Sequence, residues 1–386
     1  MDSVQLVKDG EKCCGCGICA AVCPVGAITM GIEQNGRSEP CIADKCVSCG
    51  VCLALCPQYK PEVENGEERL LDCKLVKSQN PEILRNATSG GFVTTLVQSL
   101  LQNSDYESAF LVDSSNYRGV VQTRRVDAGE DLASTQKSRY IQIAHTEELA
   151  YILSHREEKV VLVGTPCYFQ GFLKVVDRYG LNRNNYLLIG LFCDRTMTAH
   201  VWDYFDSVFA DGSLEAMHFR SKEQNGWPGG VTLFPGNREK MELPRAERMN
   251  IKDYFMPRSC LDCMDKLNAG ADFSVGDDYI TGKNGGPGGN TLLIRTNRAA
   301  AIWERYKKLF EYRDCSIGEV IKSQHLGQRE RDLQKNRSMR LDRIQMGENG
   351  EYDAIRKQVL VQRKKNTNFV RKVLSRCKRS IKKLIN

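Results

Sequence analysis

Hydrophobic and polar positions divide the chain into stretches of different texture. From about residue 81 to 330, short apolar runs alternate with amphipathic ones. Ala109–Val112 and Val160–Val163 suit buried strands, and the longest apolar run, Tyr186–Cys193, reads as another. Phe92–Leu101, Phe169–Tyr179 and Val201–Phe209 carry apolar residues at helical spacing. This alternation predicts an α/β body. Residues 1–60 have little periodicity and are rich in cysteine and glycine, while 61–80 are polar and read as a linker. Residues 331–353 are charged and irregular. Beyond them Phe369, Val370, Val373, Leu374, Cys377, Ile381, Leu384 and Ile385 recur at helical spacing among Lys and Arg, which predicts a basic amphipathic helix.

The net charge of +7 is unevenly placed. Ala354–Asn386 holds twelve Lys or Arg and no acid, so the remainder carries 7 − 12 = −5. The basic character belongs to the tail and not to a folded face, which argues against nucleic acid as a partner. The tail suits an anionic membrane surface or an acidic partner, or else it docks on the body. No apolar run approaches the roughly 18 residues of a membrane span, and the polar N-terminus has no apolar segment of a secretory signal. A cytoplasmic protein is expected, with the tail as its one route to the inner face of a membrane. Seventeen cysteines in such a chain are metal ligands or redox groups before they are disulfides.

Ten of those cysteines fall within residues 1–60. Cys13, Cys16, Cys19 and Cys23-Pro24 follow C-x2-C-x2-C-x3-C-P, and Cys46, Cys49, Cys52 and Cys56-Pro57 repeat the pattern 33 residues later. Three cysteines in a tight loop cap three irons of a cubane, and the fourth of each run crosses to the other cluster. Cys13, Cys16, Cys19 and Cys56 are therefore assigned to one [4Fe–4S] cluster, and Cys46, Cys49, Cys52 and Cys23 to a second. The segment resembles bacterial dicluster ferredoxins over its whole length. Cys14 and Cys41 fall outside the pattern and read as passive thiols.

In the body, Cys167 follows a strand in VVLVGTPC, Cys193 ends the next in LLIGLFC, and Cys260 and Cys263 form C-x2-C in PRSCLDCMDK. The carboxyl ends of strands in α/β sheets face the functional crevice. These four residues make a potential third [4Fe–4S] site. The alternatives are small buried hydrophobes for Cys167 and Cys193, and a zinc or redox pair for Cys260 and Cys263. The Gly-rich run Lys283–Asn290 reads as a lid over a cofactor or a surface turn, and Asp272, Asp277 and Asp278 as acids that fix a loop or ribityl hydroxyls, or as surface acids.

TSGGFVTTLVQSLL, VVLVGTPCYFQGFLKVV, LLIGLFCD, PRSCLDCMDKLNAGADFSVGDDY and NTLLIRT, in this order over roughly residues 70–310, resemble the coenzyme F420 hydrogenase/dehydrogenase beta subunit family. The resemblance implies an oxidoreductase that passes electrons between a hydride carrier, such as deazaflavin F420, a bound FAD and iron–sulfur clusters. It assigns Thr88, Ser89, Gly90 and Gly91 to the FAD pyrophosphate at a helix start, where N–H groups and the helix dipole favour an anion. The same four residues also read as an ordinary helix cap. Gln136–Tyr140 matches a family segment near the flavin, with Lys137, Arg139 and Tyr140 as candidates. The family has Lys before the Tyr where this chain has Arg139. Phe219, Arg220, Ser221, Lys222, Gly226 and Trp227 resemble a bacterial subset encoded beside surface-polysaccharide enzymes, which implies reduction of an organic substrate as an alternative. A non-catalytic electron relay is a further one. The expected partner is a redox protein or a small hydride carrier. The expected architecture is an α+β ferredoxin-like module (1–60), a linker (61–80), an α/β flavin-binding body (81–330) and a basic tail (331–386).

Overall fold

The computed structural model describes residues 3–61, 70–209, 212–224, 226–236, 238–282 and 285–362. Its cysteine-rich module consists of α1 (Gln5–Asp9), α2 (Ile18–Ala21), the antiparallel strands β1 (Ile28–Ile32) and β2 (Ser38–Ile42), and α3 (Val51–Ala54). The two cysteine runs fold alike. Gly17 before α2 and Gly50 before α3, 33 residues apart, both stand in the left-handed region at φ 77° and 76°. A side chain is disfavoured there, and the turn lets each loop curl so that Cys19 and Cys52 face inward from the short helices that follow.

The body is built on β3 (Asp72–Ser78), α4 (Pro81–Asn86), α5 (Phe92–Gln102), β4 (Ser108–Leu111), β5 (Val121–Gln122), β6 (Arg124–Asp127), β7 (Ile143–Ala144), α6 (Thr146–Ser154), β8 (Val160–Gly164), α7 (Pro166–Tyr179) and β9 (Tyr186–Leu191). There follow α8 (His200–Asp206), β10 (Leu214–Ser221), β11 (Gly230–Pro235), β12 (Met241–Leu243), α9 (Arg245–Ile251), β13 (Phe273–Asp277), β14 (Asn290–Ile294), α10 (Asn297–Tyr306), β15 (Phe310–Asp314), α11 (Ile317–Ser323), α12 (Arg329–Lys335), α13 (Arg337–Glu348) and α14 (352–362).

Eight strands form one sheet in the order β15-β3-β14-β13-β9-β8-β4-β6. Its centre, β13, β9, β8 and β4, is parallel, and the outer pairings are antiparallel. Strands buried on both faces explain the continuous apolar runs. Val161, Leu187 and Ile189 meet Phe92, Leu96 and Leu100 of α5 and Trp303 of α10 on one face. Leu162, Tyr186 and Leu188 meet Phe169, Phe172 and Val175 of α7 on the other, where Ile18, Val22 and Leu55 of the module join the same core. The small antiparallel sheet β10-β11-β12 packs with α8 around Trp202, Phe205, Met217 and Leu233.

Two expected boundaries move. The stretch taken as a linker contains β3, an internal strand whose Cys73, Lys74, Leu75 and Val76 are buried. Its polarity is deceptive because Lys74 pairs with Asp72 on the same strand and, across to the neighbouring edge strand, Lys74 pairs with Asp314 and Lys77 with Glu311. The stretch 331–353 taken as irregular is largely helical, α13 burying Ile344, and the start of the basic tail continues in α14, which buries Ile355 and Val359 against the core of the small sheet. Its many charges are directed at neighbours, as in Arg343–Asp253 and Arg337–Asp262. Residues 62–69 and the amphipathic segment 369–385 lie outside the described residues. Among the described residues no helix is long and apolar enough to cross a membrane.

Candidate redox site

Cys13, Cys16, Cys19 and Cys56 line one hole, walled by Val4, Val7, Ile18 and Met30. This brings the fourth cysteine of the second run to the first run, as the crossed assignment requires. Cys52 has Cys49 and Cys23 as its charged neighbours, which matches the second set. Burial pushes the Cys13 thiol up to about 12 even though the Gly15 N–H donates to its sulfur at 3.4 Å. Thiolates held this far from water need positive irons to be stable, so the donor set suits a cluster. Among the described residues no three His, Cys, Asp or Glu side chains come close enough to share a single metal ion. A cubane sets a wider requirement, because each sulfur binds a different iron.

The body cysteines also converge. Cys167 stands in the first turn of α7 just after β8, and Cys193 lies just beyond β9, both at the carboxyl edge of the parallel strands. Cys260 sits in the 3-10 turn Arg258–Leu261. Cys193 faces Cys260, Cys167 and Cys263 electrostatically, and Cys167 is the neighbour common to the other three. Burial pushes Cys193 far up, Cys260 up to about 12 and Cys263 up to about 11. These four sulfurs therefore fit the same kind of group as the module's.

Cys14, read from sequence as passive, joins the two sets. Its sulfur is buried and lies beside those of Cys16 on the module and Cys167 on the body. Only the docking of module on body creates this contact, so the linear sequence carried no signal for it. That docking is close. The His145 N–H donates to the Cys16 carbonyl at 2.9 Å, the Ser38 N–H to Gln142 Oε1 at 3.0 Å, and Lys174 to the carbonyls of Cys56 and Tyr59 at 3.3 Å. The His145 ring stacks on Tyr168 at 3.5 Å and bonds Glu148 at 2.8 Å, which fixes that part of the joint.

Beside the segment that carries Cys193 lies a cavity of about 420 Å³. Phe192 and Asp194, flanking Cys193, form part of its wall, as do Tyr140, Asp277, Tyr279, Gln324 and His325. Seven cations line it, Arg195, Arg245, Arg248, Lys252, Lys266, Arg329 and Arg340, against the carboxylates of Asp194 and Asp277. Burial holds the pKa values of Lys252 and Lys266 below the ordinary lysine value. Arg248 is buried, stacks over the Tyr140 ring at 4.8 Å, and its Nε has no hydrogen-bond partner among the described residues. A buried guanidinium with an open donor beside a cationic cavity suits an anionic ligand.

The residues assigned to a flavin are divided by this geometry. Tyr140 lies on the cavity wall, its hydroxyl accepting from Arg220 at 3.2 Å. Arg220 forms a two-pronged pair with Asp277 at 2.6 and 3.1 Å, and Trp227 donates to the same carboxylate at 3.1 Å. Burial alone would raise Asp277, but Arg220 outweighs it and holds the carboxyl below the ordinary range. Lys137 and Arg139 face elsewhere. Lys137 donates to Asn86, and Arg139 is spent on the carbonyls of Asp113, Ser114, Ser134, Thr135, Gln136 and Lys137. The cation of this region that ties the loops is Lys222, which donates to the carbonyls of Ser89 at 3.1 Å and Pro287 at 2.7 Å. Of the other acids, Asp272 is a buried anchor for Arg183, Arg298 and Thr296, and Asp278 caps the turn at Ile280 and Thr281.

Thr88–Gly91 closes on the protein itself. Thr88 accepts from the Ser138 N–H at 2.8 Å, Ser89 donates to Gly289, and the Phe92 N–H donates to Asn290 Oδ1 at 3.1 Å. A Cβ on Gly90 would stand 2.6 Å from both the Asn290 nitrogen and the Val76 oxygen, and Gly91 has φ 77° with Ile83 at 3.0 Å. Both glycines are thus demanded by packing, whatever ligand lies near. Gly91→Val is expected to cost about 2–4 kcal/mol, from a β-branched residue in the left-handed region and a tight neighbour. A thermal melt checks it, and an unchanged melting temperature contradicts it.

Models of known families match the chain in order: a 4Fe-4S dicluster domain over residues 12–59, the N-terminal part of the coenzyme F420 hydrogenase/dehydrogenase beta subunit over 74–150, and its C-terminal part over 157–316. Among curated proteins, a coenzyme F420-dependent sulfite reductase of Methanocaldococcus jannaschii is 26% identical over 313 residues, 77% of this chain and 46% of that protein. The chain therefore spans about half the length of that relative. An uncharacterized protein of the same organism is 24% identical over 341 residues, 78% of this chain and 88% of that one. Among solved structures, a chain of the F420-reducing [NiFe] hydrogenase complex of Methanosarcina barkeri shares the fold, with a TM-score of 0.51 at 17% identity over 70% of this chain and 94% of that chain.

Proposed function

Because the chain belongs to the coenzyme F420 hydrogenase/dehydrogenase beta subunit family and carries a 4Fe-4S dicluster domain at its N-terminus, we propose that it is an iron–sulfur flavoprotein oxidoreductase. Electrons would pass between a hydride donor or acceptor at the cationic cavity and a partner at the outer end of the module. The observation that supports this most is the continuous line of groups: cavity, body cysteines, Cys14, first module set, second module set.

Cys167, Cys193, Cys260 and Cys263 would hold a third [4Fe–4S] cluster. FAD would lie in the cavity, held by Tyr140, Arg245, Arg248 and Lys252, and when bound it would supply the exchange between a two-electron hydride and single electrons. The chain's own part is to bind and to shield. The cations would neutralise an anionic ligand, the Arg220–Asp277 pair fixes Tyr140, and Phe192, next to Cys193 in the chain, adds an apolar part to the cavity wall. At the other end Cys49 is exposed, with Val47 61% exposed beside it, which suits docking of a redox protein. The excess of cations over what one pyrophosphate needs favours an anionic substrate. That keeps reduction of an anionic organic compound in surface-polysaccharide synthesis as the second reading.

Anaerobically purified protein tests the proposal when mixed with F420, NADH, NADPH and reduced ferredoxin in turn, with flavin and cluster absorbance followed together. One donor is expected to bleach both. Bleaching of clusters in protein that releases no flavin with acid would favour the non-catalytic relay.

A further inference from the structure

Among the described residues Cys73 and Cys315, like the exposed Cys41, take no part in the line of redox groups. Cys73 lies on β3, and Cys315 follows the last residue of β15. The register pairs Asp314 with Lys74, so the next step sets Cys315 opposite Cys73, and the Cys315 N–H donates to the Cys73 carbonyl at 3.2 Å. Facing residues of such a pair have Cα atoms about 5.5 Å apart, inside the roughly 4.4–6.8 Å that a disulfide accepts. The two side chains pack in the same small apolar cluster with Leu293 and Val320. Both are thiols in this structure.

We propose that Cys73 and Cys315 form a reversible disulfide by exchange with a low-molecular-weight disulfide, and that the bond fixes the adjoining wall of the cavity. Cys315 is half-buried among exposed residues, whereas Cys73 is 4% exposed, so the incoming disulfide meets Cys315 first. The Cys315 sulfur attacks one sulfur of the reagent, forming a mixed disulfide and releasing one small thiol. The Cys73 sulfur then attacks Cys315, forming the internal bond and releasing the second thiol. Two electrons and two protons leave on the two small thiols, and reduction by a thiol reverses both steps.

The position gives the bond its effect. α11 starts two residues after Cys315 and packs Val320 against Cys73 and Leu293. It ends at Gln324, whose side chain donates to the Asp277 carbonyl at 3.3 Å while Lys266 donates to its own carbonyl at 2.7 Å. Gln324, His325 and Arg329 form one wall of the cavity. A covalent tie at the base of α11 would restrict opening of that wall, independently of what fills the cavity.

The test uses the anaerobic, cluster-loaded protein equilibrated with glutathione disulfide, then alkylated and cut with trypsin. The expected product is LLDCK (70–74) joined to DCSIGEVIK (314–322), two hydrogens lighter than the two thiol peptides together, with iron content unchanged. Amide exchange over 317–329 should slow on the order of tenfold in the oxidised protein, and Cys315→Ser should abolish that slowing. A glutathione adduct that stops at Cys315, or both peptides recovered alkylated, overturns the disulfide. Equal amide exchange in oxidised and reduced protein overturns its link to the cavity wall.

Discussion

Cys260→Ser with Cys263→Ser is expected to remove about four of about twelve irons while the module keeps its eight. The reason is separation. The eight module ligands lie on two loops that repeat each other, and the body sulfurs contribute to neither set. Cys260 and Cys263 meet only Cys167 and Cys193 among the ligand candidates on the body. Serine is close to isosteric with cysteine, so the fold should survive. Iron and sulfide analysis with the anaerobic absorption spectrum reads the result, and an iron content equal to wild type removes the third cluster from the account.

Gly171→Leu is expected to uncouple the module from the body. A Cβ at this position of α7 would stand 2.2 Å from Ile18 Cδ1 and 3.0 Å from Pro57 Cδ, next to the loops that carry Cys19 and Cys56. Ile18 is fully buried in the joint core and has little room to retreat. The helix itself gains from Leu in place of Gly, by about 1 kcal/mol, so the damage falls on the joint. Prying it apart separates Cys14 from Cys167. All clusters should remain, and electron transfer from donor to module should fall on the order of tenfold or more, because small displacements between reacting groups cost rate steeply. Gly171→Ala should show a smaller effect. Wild-type transfer in the Leu variant, with clusters present, would show that this contact is no part of the route.

The pattern of what could be read in advance follows from the range of each interaction. The eight module cysteines were legible because a cubane loop is local, and its spacing is written in consecutive residues. α5, α7, β8 and β9 were legible because strands covered on both faces and helices covered on one leave regular apolar traces. β3 was hidden because Lys74 and Lys77 are matched by acids on β15, some 240 residues away. α14 was hidden because Ile355 stands alone among charges and, of the short run Val359-Leu360-Val361, only Val359 is buried. Gly90 and Gly91 stood out by residue type, but their close neighbours Val76, Ile83 and Asn290 come from other segments and left no trace beside them in the sequence. The cationic cavity had no linear signature, since Arg195, Arg248, Lys266 and Arg329 come from four separate segments. Cys14 belongs with these, as its partner Cys167 is brought to it only by docking.

The central claim is one continuous redox line from the cavity through the body to the module. It is tested most directly by iron, acid-labile sulfide and acid-released flavin in protein purified without oxygen. The account predicts about twelve irons, about twelve sulfides and one FAD per chain. Eight irons with no flavin would contradict it and leave a dicluster module on a body without redox groups.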